Sequence, residues 1–269
     1  YAYYSIGQNN ITNYEDVRWN NDNVMEWLIS IESGGSLIGS FAGDYALSNN
    51  NYNNSSSVTQ LELFARQNEM NVTIDDTGTT FKMSGDITID DNSDFPIPIE
   101  SGVTFDGGNY TITYEGNENW EGLFRPESGS DGNNIVFNIN NINFVLNGGD
   151  VADFHGCILG ATRYGNSDDN WYEYFEVYID NCHTSSTTTT PKVIGVNTTT
   201  STTLGEENMQ ACSGGICGRY LGQYNSVGVI TNCSNSLEVH GSSCGGICGG
   251  FSLATIENCT NSGNITGLG

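Results

Sequence analysis

The sequence predicts an all-β solenoid in which short parallel strands stack into a β-helix, and three observations lead to this fold class. Residues 213–218 return as residues 244–249, and residues 230–236 return as residues 256–262, which is the pattern of stacked repeats. The strand candidates in each copy are short, bounded by glycine and apolar at alternate positions. No segment between them is long and periodic enough for a crossover helix, which excludes a solenoid of the leucine-rich-repeat type.

The phrase Ile-x-Asn occurs four times and marks a corner at which a strand ends. Its asparagines are Asn141, Asn181, Asn232 and Asn258. Asparagine tolerates left-handed backbone angles at a turn, and stacked amides can hydrogen-bond along the stack. We therefore expect a structural corner ladder and no catalytic role for these residues. In this register Ile230 stacks on Ile256, and Val239 stacks on Ile265, about 4.8 Å apart.

The chain before the repeats reads differently. Residues 1–57 lack the repeat and are interpreted as an N-terminal arm or an irregular cap. Thr59 and Glu62 form a capping box, which predicts a short helix covering the first coil. The apolar face of that helix consists of Leu61, Phe64 and Ala65. Residues 58–269 are assigned to the β-helix.

Residues 183–204 are a threonine-rich, low-complexity insertion into this β-helix. Such a segment either carries O-linked sugar as a stalk-like loop or pairs as an extra edge hairpin. The threonines cluster on both sides of Pro191, so they do not have the regular spacing that a flat ice-binding array needs.

Several motifs follow one another in an order that resembles a known family. They lie at 86–89, 96–99, 105–112 and 122–124, before the Ile-x-Asn corners and the Gly-Gly-Ile-x-Gly strands. Over roughly residues 58–269 this order resembles the right-handed β-helix surface proteins with GLUG-type repeats. Glycine and asparagine are exchanged at Gly108 and Asn109 relative to the usual family motif. The resemblance implies a right-handed coil; β-helices of this kind occur in adhesins, viral surface proteins and polysaccharide-acting enzymes.

The charge balance is strongly acidic. Seven Lys and Arg residues against 32 Asp and Glu residues give a formal net charge of −25. Such a charge repels phosphate backbones and anionic headgroups, which argues against nucleic acid and membrane-surface partners. No apolar run is long enough to insert into a bilayer. We interpret the acidic surface as a means of keeping the protein soluble in a saline medium. The alternative is that the surface binds calcium weakly. No other cofactor is expected.

The abundance of Asn, Ser, Thr and Gly and the scarcity of lysine favour an extracellular, cell-surface or virion-surface location. Candidate glycosylation sites are Asn10, Asn53, Asn54, Asn71, Asn109, Asn197 and Asn264. An Asn-rich chain also forms such sequons by accident. The sequons at Asn232 and Asn258 are expected to be too buried in their ladder to be modified.

The strand that ends at Asp180 presents a candidate glycan-binding surface. If Ile179 points inward, then Tyr174, Glu176 and Tyr178 point outward. Aromatic rings beside a carboxylate suit the face of a sugar. The alternative is an exposed tyrosine-rich strand covered by a loop or a neighbouring subunit.

The eight cysteines lie in the repeats without zinc-ligand spacing. Cys182, Cys233 and Cys259 take the inward place of Ile142, so they can serve as small core residues. Equivalent positions on adjacent coils lie within reach of a disulfide. The candidate disulfides are Cys233 with Cys259 and Cys217 with Cys248; the alternative is reduced, stacked thiols.

The remaining titratable residues form no catalytic motif. His155, His183 and His240 are expected at the surface or at corners. The acidic clusters at 90–94 and 168–169 could hold calcium or act as a glycosidase pair, which sequence alone does not resolve.

Two functions follow from these patterns. The first is a non-enzymatic structural or adhesive surface protein, a filament, spike or coat component that assembles with copies of itself or with neighbouring surface proteins. The second is a carbohydrate-binding or carbohydrate-cleaving enzyme that uses outer-face carboxylates such as Glu176. A groove with two opposed carboxylates would favour the second. We also expect the last coil, near residues 264–269, to be buried by further coils or by another subunit, because no capping helix follows it.

Overall fold

A computed structural model of the chain describes the backbone of residues 36–37 and 193–194 and the residues in nine further ranges. These are 59–75, 78–99, 101–126, 135–160, 175–188, 212–222, 226–241, 243–250 and 252–267. The chain divides into two compact units, Tyr1–Ser84 and Gly85–Gly269. The described residues are mostly β, as the sequence predicts, with one short helix.

The first unit contains the predicted helix and an antiparallel sheet. Helix α1 spans Gln60–Gln67, and strands β1, β2 and β3 span Ser36–Leu37, Asn71–Asp75 and Gly78–Lys82. The capping box is confirmed: the Glu62 amide donates to Thr59 Oγ1 at 3.1 Å, and the Thr59 amide donates to Glu62 Oε2 at 2.8 Å. The three predicted apolar residues of α1 are buried. Strands β1, β2 and β3 pair antiparallel, so the parallel strands begin later than residue 58.

The second unit contains sixteen short strands in the part of the chain that the structure describes. They are β4 (Ile87–Ile89), β5 (Ile97–Ile99), β6 (Val103–Asp106), β7 (Thr111–Tyr114), β8 (Phe124–Pro126), β9 (Ile135–Asn140), β10 (Asn143–Leu146), β11 (Phe175–Asp180), β12 (His183–Ser185), β13 (Val193–Ile194), β14 (Val227–Thr231), β15 (Ser234–Asn235), β16 (Glu238–Gly241), β17 (Thr255–Glu257), β18 (Thr260–Asn261) and β19 (Ile265–Gly267).

These strands pair in parallel, and successive repeats place their strands in the same sheets. One sheet has the order β6-β9-β11-β14-β17, and a second has the order β4-β7-β10-β12-β15-β18. A third has the order β13-β16-β19, and β5 pairs with β8. Each repeat thus stacks directly on the one before it along the chain. The predicted register is confirmed, because Ile230 pairs with Ile256 and Val239 pairs with Ile265.

The threonine-rich insertion is part of this arrangement at two places. Residues 183–185 form β12, in the second sheet. Val193–Ile194 pairs in parallel with Glu238 and Val239, in the third sheet. Of the two alternatives for the insertion, the extra edge hairpin is wrong at these two residues, because they pair in parallel with β16. Residues 189–192 and 195–204 lie outside the described residues.

The core of the second unit is a set of columns, each built from one position of every repeat. One column runs through Phe105, Ile139, Ile179, Ile230 and Ile256, which are Cα partners in register. The first four are at most 1% exposed. Ile139, Ile179 and Ile230 each have an in-register partner on both sides. Near the start of the unit, aromatic rings add to the core.

A second column changes its chemistry along the stack. It begins with Ile87, Ile112 and Phe144 and continues with Thr184, Asn235 and Asn261. The Thr184 hydroxyl donates to Asn235 Oδ1 at 2.8 Å, and Asn235 Nδ2 donates to Asn261 Oδ1 at 2.7 Å. Asn235 is buried, so these bonds replace the water that its amide loses.

Ile230 and Ile256 provide a matched pair for measuring how much stacking stabilises the fold. We expect Ile230→Ala to lower the free energy of unfolding by about 2–5 kcal/mol, because it leaves a cavity between two repeats. Ile256→Ala should cost about 1–2 kcal/mol, because that side chain is already 45% exposed. Urea unfolding in dilute solution measures both. Equal losses would contradict the stacking arrangement.

Candidate functional site

The last described repeat, residues 252–267, presents an open face that we call the end face. We define it by the core positions Leu253, Ile256, Cys259, Asn261 and Ile265. Strands β17, β18 and β19 each lie at the edge of their sheet. An edge strand leaves backbone donors and acceptors unpaired on one side, which favours pairing with a further strand.

The apolar positions of the end face are buried in the preceding repeat and exposed here. Ile230 is 0% exposed and its partner Ile256 is 45% exposed. Val239 is 0% exposed and its partner Ile265 is 59% exposed. Leu253, whose amide donates to the Leu221 carbonyl at 2.8 Å, is 74% exposed. Among the described residues, the end face therefore has the composition of a core surface.

The polar part of the end face is the amide of Asn261. Its Nδ2 donates to the Gly263 carbonyl at 2.8 Å, and its Oδ1 accepts from Asn235. The Gly-Gly phrase of each repeat makes room for these amides. A Cβ at Gly215 would lie 2.5 Å from Cγ of Asn235, and a Cβ at Gly246 would overlap Asn261. Sequence reasoning missed this amide column, although both asparagines lie within the repeated phrase.

The four corner asparagines share the predicted left-handed backbone. The φ angles of Asn141, Asn181, Asn232 and Asn258 are 59°, 51°, 55° and 54°. Asn109 joins them with a φ of 63°, although it lies outside the Ile-x-Asn phrase. Asn181 Nδ2 donates to Asn141 Oδ1 at 2.9 Å and to Asn109 Oδ1 at 3.2 Å.

Aspartates complete the corner ladder. Asn141 Nδ2 donates to Asp106 Oδ1 at 2.9 Å, and Asn232 Nδ2 donates to Asp180 Oδ1 at 2.7 Å. The expected burial of Asn232 and Asn258 is wrong, because both residues are exposed. The ladder runs along the outside of the corner, where the amides bond to each other and to carboxylates while remaining in contact with solvent.

The outer face of β11 contains two of the three residues expected to bind glycans. Tyr178 and Glu176 are half-buried, and Tyr178 Oη donates to Glu176 Oε2 at 3.0 Å. This hydrogen bond raises the pKa of Tyr178. The Cα partners of Glu176 are Val136 and Val227, so neither flanking strand places a second carboxylate opposite it. Tyr174 lies outside the described residues.

The histidines occupy three different environments. His155 is only 5% exposed, so its expected place at the surface or a corner is wrong. Burial, with Arg219 nearby, lowers the pKa of His155 to about 4. His183 lies at the corner, with Nε2 3.2 Å from Asn181 Oδ1. His240 Nε2 is 3.3 Å from a carboxylate oxygen of Glu238.

The acidic cluster at 90–94 is solvent-exposed at its aspartates, and the Asp91 side chain accepts from the Ser93 amide at 2.9 Å. The pair at 168–169 lies outside the described residues. Within the part of the chain that the structure describes, no group of three His, Cys, Asp or Glu residues is placed to hold a metal ion.

Three of the candidate glycosylation sites can be located. Asn71, Asn109 and Asn264 are exposed. Asn109 also takes part in the corner ladder through its side chain, so a glycan there would compete with the bond from Asn181. Asn10, Asn53, Asn54 and Asn197 lie outside the described residues.

None of the eight cysteines forms a disulfide in this structure. Those in the inward column are linked by weak bonds from amide to sulfur. The Cys182 amide donates to Cys233 Sγ at 3.3 Å, and the Cys233 amide donates to Cys259 Sγ at 3.4 Å. The Cys217 thiol donates to Cys248 Sγ at 3.0 Å.

No protein-family model, curated protein or solved structure matches this chain. Among the helical residues that the structure describes, none belongs to a helix long and apolar enough to cross a membrane.

Replacing Asn181 separates two contributions to stability at the corner, the left-handed backbone and the hydrogen bonds of the side-chain amide. Asn181→Gly keeps the left-handed backbone and loses the amide bonds, whereas Asn181→Ala also strains the backbone. We expect the alanine variant to be less stable than the glycine variant by about 1–2 kcal/mol in urea unfolding. A more stable alanine variant would show that the backbone angle has no role in stability.

Buried His155 predicts a pH dependence of stability. Its folded pKa of about 4 lies below the ordinary value of 6.5, so protonation favours the unfolded chain. The stabilisation is complete above about pH 6.5 and falls as the pH decreases towards about 4. Wild type should lose about 3 kcal/mol relative to His155→Gln over this range, measured by urea unfolding at each pH. His240→Gln is the control at a partly exposed histidine; a constant difference between wild type and His155→Gln would contradict the assignment.

Proposed function

We propose that the second unit is a right-handed parallel β-helix of the GLUG-repeat type. Its parallel pairing and its repeated passage through the same sheets support this proposal. The direction of the coil rests on the family resemblance. We further propose that the protein is a non-enzymatic structural or adhesive component of a cell or virion surface, located outside the cell, and that it assembles through the end face.

The end face is the observation that carries this function. Its apolar residues are up to 74% exposed at positions that the preceding repeat buries completely. Fully burying an exposed Leu or Ile side chain contributes about 1.5–3 kcal/mol, so covering one of these partly exposed side chains contributes about 1–2 kcal/mol. Three of them beside three unpaired strand edges form a surface with a strong tendency to associate.

Charge supports the same surface. Residues 252–267 contain one charged side chain, Glu257, in a chain whose net charge is −25. The net charge makes two copies of the chain repel each other, and residues 252–267 contribute only Glu257 to this repulsion. Depletion of charge at the centre of a contact is typical of protein interfaces.

We propose that the occupant of the end face is a second copy of this chain, bound through its own end face about a two-fold axis. The same apolar residues then meet from both sides, and the edge strands of the two copies supply donors and acceptors to each other. Larger assemblies on a surface would need further contacts with neighbouring surface proteins.

The alternative is a carbohydrate-binding or carbohydrate-cleaving enzyme at Glu176. It has less support, because the Glu176 carboxylate already accepts from Tyr178 and has valines as its partners in register. Calcium remains a candidate ligand of the acidic surface, since carboxylate oxygens are the ligands that it prefers.

Analytical ultracentrifugation of wild type and of Leu253→Asp/Ile265→Asp tests the assembly. We expect a concentration-dependent dimer for wild type and a monomer for the variant, with a dissociation constant at least about 100-fold higher. Added salt should strengthen the wild-type dimer, because it screens the repulsion between two chains of net charge −25.

Val227→Asp is the matched control, since Val227 is 39% exposed on the strand of the preceding repeat and lies outside the end face. It should dimerise like wild type. A wild-type chain that stays monomeric at high concentration and in salt would overturn the proposed assembly. So would a dimer that Leu253→Asp/Ile265→Asp leaves intact.

A further inference from the structure

The two cysteines of the Gly-Gly-Ile-Cys phrase face each other across consecutive repeats. Cys217 and Cys248 are paired in a parallel bridge, so their backbones lie about 4.8 Å apart. This separation is within the range that a disulfide spans. The sulfur atoms are 3.0 Å apart, and a shift of about 1 Å would bring them to bonding distance.

The other candidate pair is arranged differently. The Cys233 thiol donates to the Thr231 carbonyl at 3.1 Å, and the Cys259 thiol donates to the Glu257 carbonyl at 3.2 Å. Each sulfur in that column also accepts an amide from the preceding repeat. In contrast, the Cys217 thiol has the sulfur of Cys248 as its acceptor. The geometry thus distinguishes the pair at 217 and 248 from the pair at 233 and 259.

The two thiols of the first pair also differ in a way that suits stepwise oxidation. Cys217 is fully buried, and burial raises its pKa well above the ordinary value. Cys248 is half-buried, and the hydrogen bond from the Cys217 thiol lowers the pKa of Cys248. The residue with the larger exposed fraction is therefore also the one whose thiol forms a thiolate more readily.

We propose that Cys217 and Cys248 form a disulfide that links two consecutive repeats when the protein meets a small-molecule disulfide. The Cys248 thiolate attacks one sulfur of the oxidant and releases one thiolate, leaving a mixed disulfide. The Cys217 sulfur then loses its proton and attacks Cys248 Sγ, and the second thiolate leaves. Two protein thiols and one oxidant disulfide become one protein disulfide and two small thiols, so atoms and electrons balance.

This crosslink is a reversible staple next to the end face. It closes a loop that contains β14, β15 and β16, and it fixes the segment just before residues 252–267 to the preceding repeat. The inference is independent of the proposed function, because it depends only on the geometry of the two thiols.

Peptide mapping of the full chain after treatment with oxidised glutathione tests the proposal directly. Trypsin cuts after Arg219, and a glutamate-specific protease cuts after Glu207, Glu238 and Glu257. Without reductant, peptide 208–219 should be recovered linked to peptide 239–257. A link between peptides 220–238 and 258–269, or the recovery of four free peptides, would overturn the proposal.

Peptide 208–219 also contains Cys212, and peptide 239–257 also contains Cys244, so single variants assign the bond. Cys217→Ser and Cys248→Ser should abolish the link, whereas Cys212→Ser and Cys244→Ser should retain it. Oxidation should raise Tm by about 10 °C in wild type and in the two control variants. It should leave Tm unchanged in Cys217→Ser and Cys248→Ser. A link that survives in either of these two variants would contradict the assignment.

Discussion

Parallel pairing between consecutive repeats is the constraint on which the second unit depends. A single repeat offers each side chain neighbours on one level only, so it cannot bury its own apolar residues. Its apolar residues are buried by the repeats before and after it, so equivalent residues in the inner repeats are buried to a similar extent. Ile139, Ile179 and Ile230 are buried because each has an apolar partner on both sides. The same rule exposes Ile256 and Ile265, where one of the two neighbours is missing among the described residues.

The core changes along the second unit, from apolar packing in the early repeats to hydrogen-bonded polar side chains in the later ones. At the start of the unit, Trp120 lies between Tyr114 and Phe144, with ring centroids 4.7 Å and 5.2 Å apart. Towards the end, thiols and amides occupy the core. Small side chains bury less area, so the later repeats depend more on the geometry of their hydrogen bonds. The thiol pair of Cys217 and Cys248 and the amide pair of Asn235 and Asn261 both lie in these later repeats.

Sequence reasoning succeeded where a physical cause is local or repeated. The capping box needs only Thr59 and Glu62, and the register of Ile230 and Ile256 follows from two similar phrases. It failed where the cause lies in distant neighbours. His155 packs against a segment far along the chain, since its carbonyl accepts from the Gly214 amide. The strand Val193–Ile194 was not predicted because it lies in a threonine-rich sequence without a clear strand pattern. Asn109 follows two glycines and lacks the corner phrase, so its place beside Asn181 is shown by its backbone angle and by the hydrogen bond from Asn181.

The buried amides also bear on how the chain selects one alignment among many similar ones. Strands of alternating residues can slide past each other, and a slip by one position turns the inward side chains outward. In the apolar columns such a slip would expose side chains that the native register buries. At Asn235 it would leave the amide without the bonds to Thr184 and Asn261, at a cost of about 1–3 kcal/mol for each unsatisfied group. The buried amides therefore add to the free-energy difference between the native register and a register shifted by one position.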